Sequence, residues 1–457
     1  MKKQLQSQET QIEQLYELTP GQDFHGSNAY VAIPLQVLAD KRVKYVPHIV
    51  CSLREKFELS DENLYSRGLY SDRYPSPLPR WSHKSIEKFL AGENTDIQDL
   101  FLSIQATYQE YIDFNDERWY EFMACWVIGT YFHRLFESYP YIHLNGGMES
   151  GKTKTLTLCA LLSFNGELTF NSTPSYIVRT IHNNHATCCI DEAESLRNKR
   201  DEDSQTVIGM YNSGYKKGQF TGKSEQVGKN KKWIPVRYEA YSPKIFASIK
   251  GMESTLASRC IPIVMTRSSN LEIRNREIGL DDPLFQEIRD KLYISMMIYL
   301  PLISGVYGGI KDDQILGREW ELWKPILSVA SAIDPNLELR DELRNFALEV
   351  QQNKKETTLE SLIAPKIMKL LIEKIQSDQR EDNFYSVKEI VDCLVQEDDE
   401  NFGWLSDHKN KGRWLGDELR KAGVVKGRAA QKKVEGENVK GYVFDPETIE
   451  EKLRAFA

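Results

Sequence analysis

A glycine-containing loop between an apolar strand-like run and a helical run is the sharpest chemical feature of the sequence. In YPYIHLNGGMESGKTKTLTLCALL the spacing GxxxxGKT is typical of a phosphate-binding loop. Its glycines let backbone N–H groups close around a phosphate at a helix N-terminus, where the helix dipole favours anions. Lys152 would add positive charge at the β- and γ-phosphates, and the Thr153 hydroxyl would bind Mg²⁺. We therefore expect ATP and Mg²⁺ as ligands, with the nucleotide held by Gly146, Gly147, Met148, Glu149, Ser150, Gly151, Lys152, Thr153 and Lys154.

Two adjacent carboxylates after a later apolar run, HATCCIDEAESL, are candidates for the second half of this site. Asp191 would hold Mg²⁺ through water, so the metal ligands would be Thr153 and Asp191. Glu192 would polarise the water that attacks the γ-phosphate. An Asp-Glu pair after a strand is usually a solvated loop, but the phosphate loop upstream favours the catalytic interpretation. The sequence contains no trace of an acceptor site, so hydrolysis is the expected reaction.

Length and composition limit what can position these residues. A chain of 457 residues predicts two to four domains, and its 59 Lys and Arg against 67 Asp and Glu give a net charge of −8. This charge has the wrong sign for a protein that coats nucleic acid with its whole surface, so any nucleic-acid binding must be local. Seven cysteines without a CxxC pair, and an N-terminus without an apolar signal sequence, predict a cytoplasmic protein.

One run, Leu292 to Ile310, is uncharged and long enough to span a membrane in principle. It contains Pro301, three glycines, two serines and three tyrosines, which lower its hydropathy. We expect a buried helix and turn there, and no membrane partner.

The chain divides into five segments. Residues 1–85 carry short β-like runs and predict a small N-terminal accessory domain, and residues 86–137 form a helical lead-in. Residues 138–350 alternate strand-like and helical runs, which predicts an α/β core with a parallel sheet. A polar linker over 351–360 precedes the tail, 361–457, which has three helical runs followed by two strand-like runs, the outline of a winged-helix domain.

The order of these motifs resembles the AAA+ ATPases. The phosphate loop and the Asp-Glu pair are followed by a third strand, KIFASI, and by Ser258-Arg259 before a fourth strand, CIPIVM. Within that family the Ser-Arg step resembles the minichromosome-maintenance-like helicases, and GREWELWKPILSVASAI is similar to their sensor-2 helix. The layout over roughly residues 115–445, including NSTPSYIVRTI and YNSGYKKG, also resembles ATPases carried by phages, plasmids and chromosomal islands.

This resemblance implies further catalytic residues. Arg259 would be an arginine finger that reaches into a neighbouring subunit's site, and Arg318 would be a second contact to the γ-phosphate. Either arginine could instead cap a helix or pair with a carboxylate. The polar sensor after the third strand is normally Asn, but Lys250 stands there in this chain, with Ser248 two residues earlier. A site completed by the next subunit implies a homo-oligomeric ring, which in this family is a hexamer.

The segment QFTGKSEQVGKNKKWIPVRYEAYS has two β-like arms around GKNKK and is similar to the pore hairpin of those helicases. Lys229, Lys231 and Lys232 at its tip would contact DNA phosphates in the channel of the ring. The alternative is a solvated lysine turn. Trp233 would either stack on a base or pack beneath the hairpin.

The tail reverses the acidic balance of the chain, with ten Lys or Arg against five Asp or Glu from Leu405 to Tyr442. The third helix would face a DNA groove, and two lysines would lie on the wing. Winged helices also dock proteins, so both partners stay open. The candidate DNA contacts are Lys409, Lys411, Arg413 and, nearby, Arg420 on the helix, and Lys432 and Lys433 on the wing.

Three functions fit these features. The leading one is an ATP-driven ring that translocates on and unwinds single-stranded or forked DNA during replication of a mobile element or virus, alongside other replication proteins. The second is a replication initiator or loader without unwinding activity, which an assay of strand displacement separates from the first. The third is a transcription regulator whose ATP site controls oligomerisation, which a footprint at one specific sequence would favour.

Overall fold

The structure is a computed structural model. It describes residues 15–39, 42–73, 80–169, 172–193, 202–227, 232–249, 252, 254–361, 363–378, 380, 382–406, 408–425, 427, 429–434 and 437–456. Contacts divide the chain into two compact units, Met1–Leu348 and Glu349–Ala457.

The secondary structure is mixed α/β. The strands are β1 Tyr16–Glu17, β2 Asp23–His25, β3 Asn28–Ala39, β4 Arg42–Cys51, β5 Lys56–Glu58, β6 Leu69–Tyr70, β7 Tyr141–Asn145, β8 Glu167–Thr169, β9 Cys188–Ile190, β10 Phe220–Val227, β11 Lys232–Glu239, β12 Lys244–Ser248, β13 Cys260–Val264, β14 Phe384–Ser386, β15 Ala430–Val434 and β16 Glu437–Val443. The helices are α1 Asp61–Tyr65, α2 His83–Leu90, α3 Ile97–Tyr111, α4 Arg118–Thr130, α5 Lys152–Leu162, α6 Pro174–Asn184, α7 Glu202–Ser213, α8 Ser254–Ala257, α9 Leu271–Asn275, α10 Pro283–Gly309, α11 Gly317–Ile333, α12 Glu338–Ser361, α13 Ile363–Asp378, α14 Val387–Glu397, α15 Asp399–Phe402, α16 Lys411–Lys421 and α17 Pro446–Phe456.

The centre of the first unit is a five-stranded sheet in the order β13-β7-β12-β9-β8, in which every neighbouring pair is parallel. The three central strands, β7, β12 and β9, are buried on both faces, as in β12, where all five residues are buried, and this explains their nearly continuous apolar sequence. Helix α5 packs against β8, β9 and β12. The predicted α/β core with a parallel sheet is therefore confirmed, and the carboxyl ends of all five strands share one edge.

The predicted helical lead-in is formed by α2, α3 and α4. Helix α4 is buried on nearly all sides, which accounts for its continuous apolar sequence. The indole N–H of Trp126 on this helix donates to the Pro140 carbonyl over 2.9 Å, immediately before β7. The lead-in thus fixes the strand that carries the phosphate loop.

The N-terminal residues form a four-stranded antiparallel sheet in the order β2-β3-β4-β5. They fall in the same compact unit as the parallel sheet. The buried Gln22 side chain donates to the Tyr131 carbonyl over 2.6 Å, which ties this segment to the end of α4. That residues 1–85 act as a separate accessory domain stays a prediction.

Helix α10 covers the uncharged run near residue 300. Within the described residues it is the one helix long and apolar enough to cross a membrane by length and composition. It continues through Pro301 to Gly309, so the turn that we expected before Ile310 is absent. Ten of its 27 residues are buried.

The second unit contains the three predicted helices and the two predicted strands in order, and adds strand β14 between the first two helices, the short α15 and the C-terminal α17. The stretch 351–360, expected to be a linker, is helical and lies within α12. Helices α13, α14 and α16 accompany an antiparallel sheet in the order β14-β16-β15, around one apolar cluster. That this unit is a winged helix stays a prediction.

Candidate nucleotide-binding site

The phosphate loop lies at the carboxyl edge of the parallel sheet, between β7 and α5. Gly151 precedes the helix with φ +90°, a left-handed conformation that favours glycine. A Cβ at Gly146 would lie 2.2 Å from the carbonyl oxygen of Met265, directly after β13, so only glycine fits there. The loop is therefore shaped by its own glycines and by the neighbouring strand.

Lys152 is held inside the loop. Its ammonium donates to the carbonyl oxygens of Gly146 over 2.7 Å and Gly147 over 2.5 Å, and its side chain is largely buried. Phosphate oxygens can replace such carbonyl acceptors with a stronger, charge-assisted bond. That Lys152 binds a β- or γ-phosphate stays a prediction.

Thr153 and Asp191 come together although they are far apart in sequence. The Thr153 hydroxyl donates to Asp191 Oδ2 over 2.9 Å, and Asp191 Oδ1 accepts from the Glu192 N–H over 2.9 Å. A hydroxyl beside a carboxylate is an oxygen ligand set that Mg²⁺ prefers, and such an ion usually adds substrate phosphates and water. The two residues predicted as metal ligands thus fit the metal.

Glu192 lies one residue past Asp191, at the end of β9. Its φ is +52°, in the left-handed region that few non-glycine residues adopt, and its side chain is exposed. Local strain of this kind is often found in functional turns. The exposed carboxylate at this edge is available to a water molecule.

Strand β12 lies between the strand of the phosphate loop and the strand of the carboxylates, and it ends at Ser248. Ser248 pairs in register with Asn145, and its hydroxyl is 2.7 Å from His143 Nε2. This buried serine–histidine pair beneath the loop is not evident from the sequence, because its members are on separate strands. Lys250, the predicted sensor, lies outside the described residues.

A cavity of about 350 Å³ opens beside the loop. Its other walls come from residues 111–113 at the end of α3 and from side chains between 266 and 275. Asp113 accepts a hydrogen bond of 2.5 Å from the Ser268 hydroxyl. A cavity adjoining a phosphate site has the position that the base and ribose of a nucleotide need. The polar residues after β13 could have been suspected from their place at a strand end, but residues 111–113 give no local signal.

Lys154 supports this cavity. Its ammonium donates to the carbonyl oxygens of Ile273 over 2.6 Å and Arg274 over 3.1 Å. Burial, with a contribution from the nearby Arg276, lowers the pKa of Lys154. Its side chain therefore holds the cavity wall, and its charge is directed at backbone carbonyls.

Arg267 is a charged residue at the loop that the sequence analysis missed. Its guanidinium lies 2.6 Å from the carboxylate of Glu149, a loop residue with φ +58°. The acidic side chain in the phosphate loop is therefore paired with a cation of the same chain.

The two predicted catalytic arginines lie at the opposite edge of the sheet. The Arg259 carbonyl accepts from the Tyr141 N–H over 3.2 Å, at the amino end of β7. That strand has five residues, so the Cα atoms at its two ends are roughly 13 Å apart. The guanidinium carbons of Arg259 and Arg318 lie 5.1 and 4.6 Å from the ring centre of Tyr215. The structure brings these two arginines together and keeps both away from the phosphate loop of their own chain.

The predicted hairpin is formed by β10 and β11, which pair antiparallel from Phe220 and Glu239 to Val227 and Lys232. Lys229 and Lys231 lie outside the described residues, and the side chain of Lys232 is also outside them. Trp233 is 67% exposed. It therefore does not pack beneath the hairpin.

The basic residues of the second unit differ in their surroundings. All six except Lys411 are exposed, and among the described residues Lys409, Arg413 and Lys433 form no ion pair. The others make contacts, since Lys411 donates to the Ser406 carbonyl over 3.2 Å, Arg420 pairs with Asp417 over 2.6 Å, and Lys432 pairs with Asp382. The first three are available for a phosphate backbone without breaking an ion pair.

No protein-family model matches this chain, and neither does any curated protein. Among solved structures, the C-terminal region of NrS-1 aligns at 11% identity over 91% of this chain and 97% of that chain, with a TM-score of 0.38. An active helicase, Cch of SCCmec type IV, aligns at 12% identity over 84% and 74%, with a TM-score of 0.37. The JCV helicase aligns at 12% over 60% and 65%, with a TM-score of 0.25. Values this low do not establish a shared fold.

Proposed function

We propose that this chain is an ATP-hydrolysing subunit of a homo-oligomeric ring that moves on DNA. The observation that carries the proposal is the division of the site between two edges of one sheet. The phosphate loop and the Thr153–Asp191 pair lie at one edge, and Arg259 and Arg318 lie at the other. Head-to-tail assembly brings unlike edges of neighbouring subunits together, and such an interface can close into a ring.

Each residue then has a defined task. The loop N–H groups and the Lys152 ammonium bind the phosphates, and Thr153 and Asp191 hold Mg²⁺. The metal supplies charge neutralisation at the phosphate oxygens. Glu192 orients and polarises the attacking water, and the arginines of the next subunit stabilise charge that develops on the transferred phosphoryl group.

The hairpin and the second unit support DNA as the partner. An exposed tryptophan next to a lysine-rich tip suits an unpaired base and its phosphates, because stacking and backbone contacts are independent of base sequence. Lys409, Arg413 and Lys433 provide a second basic surface for loading on DNA.

Strand displacement on forked DNA tests this function. The wild-type chain should hydrolyse ATP faster with DNA and separate the strands, and Lys152→Ala should do neither. Hydrolysis without strand separation would show that the protein is an initiator or loader and not a motor. Protection of one specific DNA sequence, with no stimulation by other DNA, would replace it with an ATP-gated regulator.

A further inference from the structure

Tyr215 belongs to the motif YNSGYKKG, which the proposed function leaves without a role. Its ring has three cationic side chains around it, with the charged atoms 5.1 Å (Arg259), 4.6 Å (Arg318) and 5.6 Å (Lys216) from the ring centre. Cations are attracted to the face of an aromatic ring. The Glu321 carboxylate pairs with Lys216 over 2.7 Å and with Arg318 over 3.5 Å.

The ring itself is firmly held. Tyr215 is largely buried, and its carbonyl accepts from the Tyr139 N–H over 3.0 Å. Its hydroxyl lies 3.4 Å from Glu321 Oε2, and the other oxygen of that carboxylate accepts from Lys216 over 2.7 Å. A Cβ on the preceding Gly214 would lie 2.2 Å from the Ala240 carbonyl oxygen, so the chain can pass there only as glycine. The motif therefore fixes one aromatic face at this edge of the sheet.

The arginines have few other anchors. Arg259 Nη1 donates to the Thr255 carbonyl, and Arg259 Nε is buried without a hydrogen-bond partner among the described residues. Arg318 Nε lies 3.5 Å from Glu321, and its side chain is 39% exposed. Two guanidinium groups beside one ring repel each other, and the electrons of the ring face offset part of that repulsion. An arriving polyanion would offset the rest.

We propose that Tyr215 is a positioning residue whose ring holds Arg259 and Arg318 as one anion-binding pair, set to receive the triphosphate of a neighbouring subunit. This inference rests on the proposed function, because it needs a neighbour to supply the nucleotide. Tyr215 contacts neither its own phosphate loop nor the bound phosphates. It acts by keeping two long, flexible side chains in the geometry that the transferred phosphoryl group requires.

Replacing the ring should therefore slow turnover without weakening ATP binding. Tyr215→Leu should lower kcat about 3- to 30-fold, the range expected for loss of a cation–π contact, and should leave KM for ATP unchanged. Tyr215→Phe keeps the ring and should restore kcat to within about twofold of wild type. Tyr299→Leu is the control, since Tyr299 is half-buried, donates to the Thr95 carbonyl over 3.2 Å, and has no cation over its ring among the described residues.

Mixing subunits separates this role from a structural one. Lys152→Ala subunits cannot hydrolyse ATP but keep an intact arginine edge, and Tyr215→Leu subunits have an intact phosphate loop. An equal mixture should hydrolyse ATP faster than the sum of its components, because some Tyr215→Leu loops face an intact edge. The mixture of Arg259→Ala with Lys152→Ala subunits is the reference, because it tests whether a neighbouring subunit completes the site at all.

The outcomes are distinguishable. If the reference mixture gains activity and the Tyr215→Leu mixture does not, the role assigned to Tyr215 is wrong, but the sharing of the site between subunits is supported. If neither mixture gains activity, the completion of the site by a neighbour is wrong, and the inference about Tyr215 is overturned with it. A loss in Tyr215→Phe as large as in Tyr215→Leu would also overturn the role of the ring. Should Tyr215→Leu fail to fold in a thermal melt, Tyr215→Met removes the ring face with a more adaptable side chain and takes the same tests.

Discussion

Among single residues, Lys152 and Glu192 have different tasks in the proposed mechanism, phosphate binding and activation of water. The Lys152 ammonium is already bonded to loop carbonyls, whereas the Glu192 carboxylate is exposed one residue past the Asp191 that faces Thr153. Removing a phosphate ligand and removing a water-orienting group should therefore have different consequences.

Lys152→Ala should lose ATP binding, because its charge is needed at the phosphates. Glu192→Gln should bind ATP normally and lose hydrolysis by about 10²- to 10⁴-fold, the usual range for a general base. Binding of a fluorescent ATP analogue and release of phosphate measure the two effects. Glu62→Gln, an exposed residue of α1, is the control. Near-normal turnover in Glu192→Gln would show that another group activates the water.

Arg259→Ala should bind ATP normally and hydrolyse it slowly, since an arginine supplied by a neighbour contributes on the order of 10³ to 10⁵ in rate. Arg318→Ala should behave in the same way, because it shares the ring of Tyr215 with Arg259. When either variant is titrated into wild-type protein, ATP hydrolysis should fall by more than the fraction of variant subunits added. A strictly proportional loss would place the arginine's action within its own subunit.

The residues that the sequence alone could identify are those whose chemistry depends on local spacing. The phosphate loop and the Asp-Glu pair each lie within a few residues of a strand end, and the structure joins them through the Thr153–Asp191 hydrogen bond. The contacts of Lys154 and Arg267 could not be predicted, because they depend on how segments more than 100 residues apart in the chain pack together.

At the level of secondary structure, the base of the β10–β11 hairpin is tied to the core by a buried ion pair. The Glu239 carboxylate at the end of β11 accepts from Arg134 over 2.8 Å and from Arg73 over 3.1 Å. Burial alone would raise the pKa of Glu239, but the two arginines outweigh it and leave the pKa below its usual value. The hairpin is therefore anchored by charge at its base and exposed at Trp233.

Glu239→Gln should destabilise the chain by about 3 to 5 kcal/mol, because it leaves two buried arginines without their anion. A carboxylate with a lowered pKa stabilises the fold above the pKa of its unfolded state, and this stabilisation is lost as the pH falls through its folded-state pKa. The difference in thermal stability between variant and wild type should thus be largest near pH 7 and shrink in acid. Glu55→Gln, which removes an exposed partner of Arg67, should change stability by under about 1 kcal/mol. An equal loss of stability in Glu239→Gln and Glu55→Gln would contradict the anchoring role of Glu239.

Replacing Lys229, Lys231 and Lys232 with Ala should abolish DNA-stimulated ATP hydrolysis and spare the basal rate, because the nucleotide site stays intact. Trp233→Ala should weaken binding of single-stranded DNA by about 1 to 3 kcal/mol and leave the melting temperature unchanged. Each lost phosphate contact should also lower the slope of log DNA affinity against log salt concentration by about one unit. Normal unwinding by the lysine variant would show that DNA binds to the second unit and not to the hairpin.

Strand and helix types followed from sequence where periodicity was strong, as in α4 and the buried strands of the parallel sheet. Two expectations from the sequence differ from the structure, and each difference has a physical reason. A helix accommodates Pro301 and the glycines of α10 because its packing decides the conformation, and the polar residues of 351–360 favour helix as readily as loop. The position of β12 between β7 and β9 could not be predicted, because strand order depends on tertiary pairing.

At the scale of the whole molecule, the proposed ATP site has its phosphate loop at one edge of the sheet and its arginines at the other, so it would be completed only by a neighbouring subunit. The most direct test is electron microscopy of the full chain with a slowly hydrolysed ATP analogue and forked DNA. We predict a closed ring in which Arg259 and Arg318 of one subunit contact the γ-phosphate bound by the next, with the hairpin on DNA in the channel. A nucleotide whose phosphates are contacted only by the chain that binds them, in a monomer or a ring, would contradict a site shared between subunits.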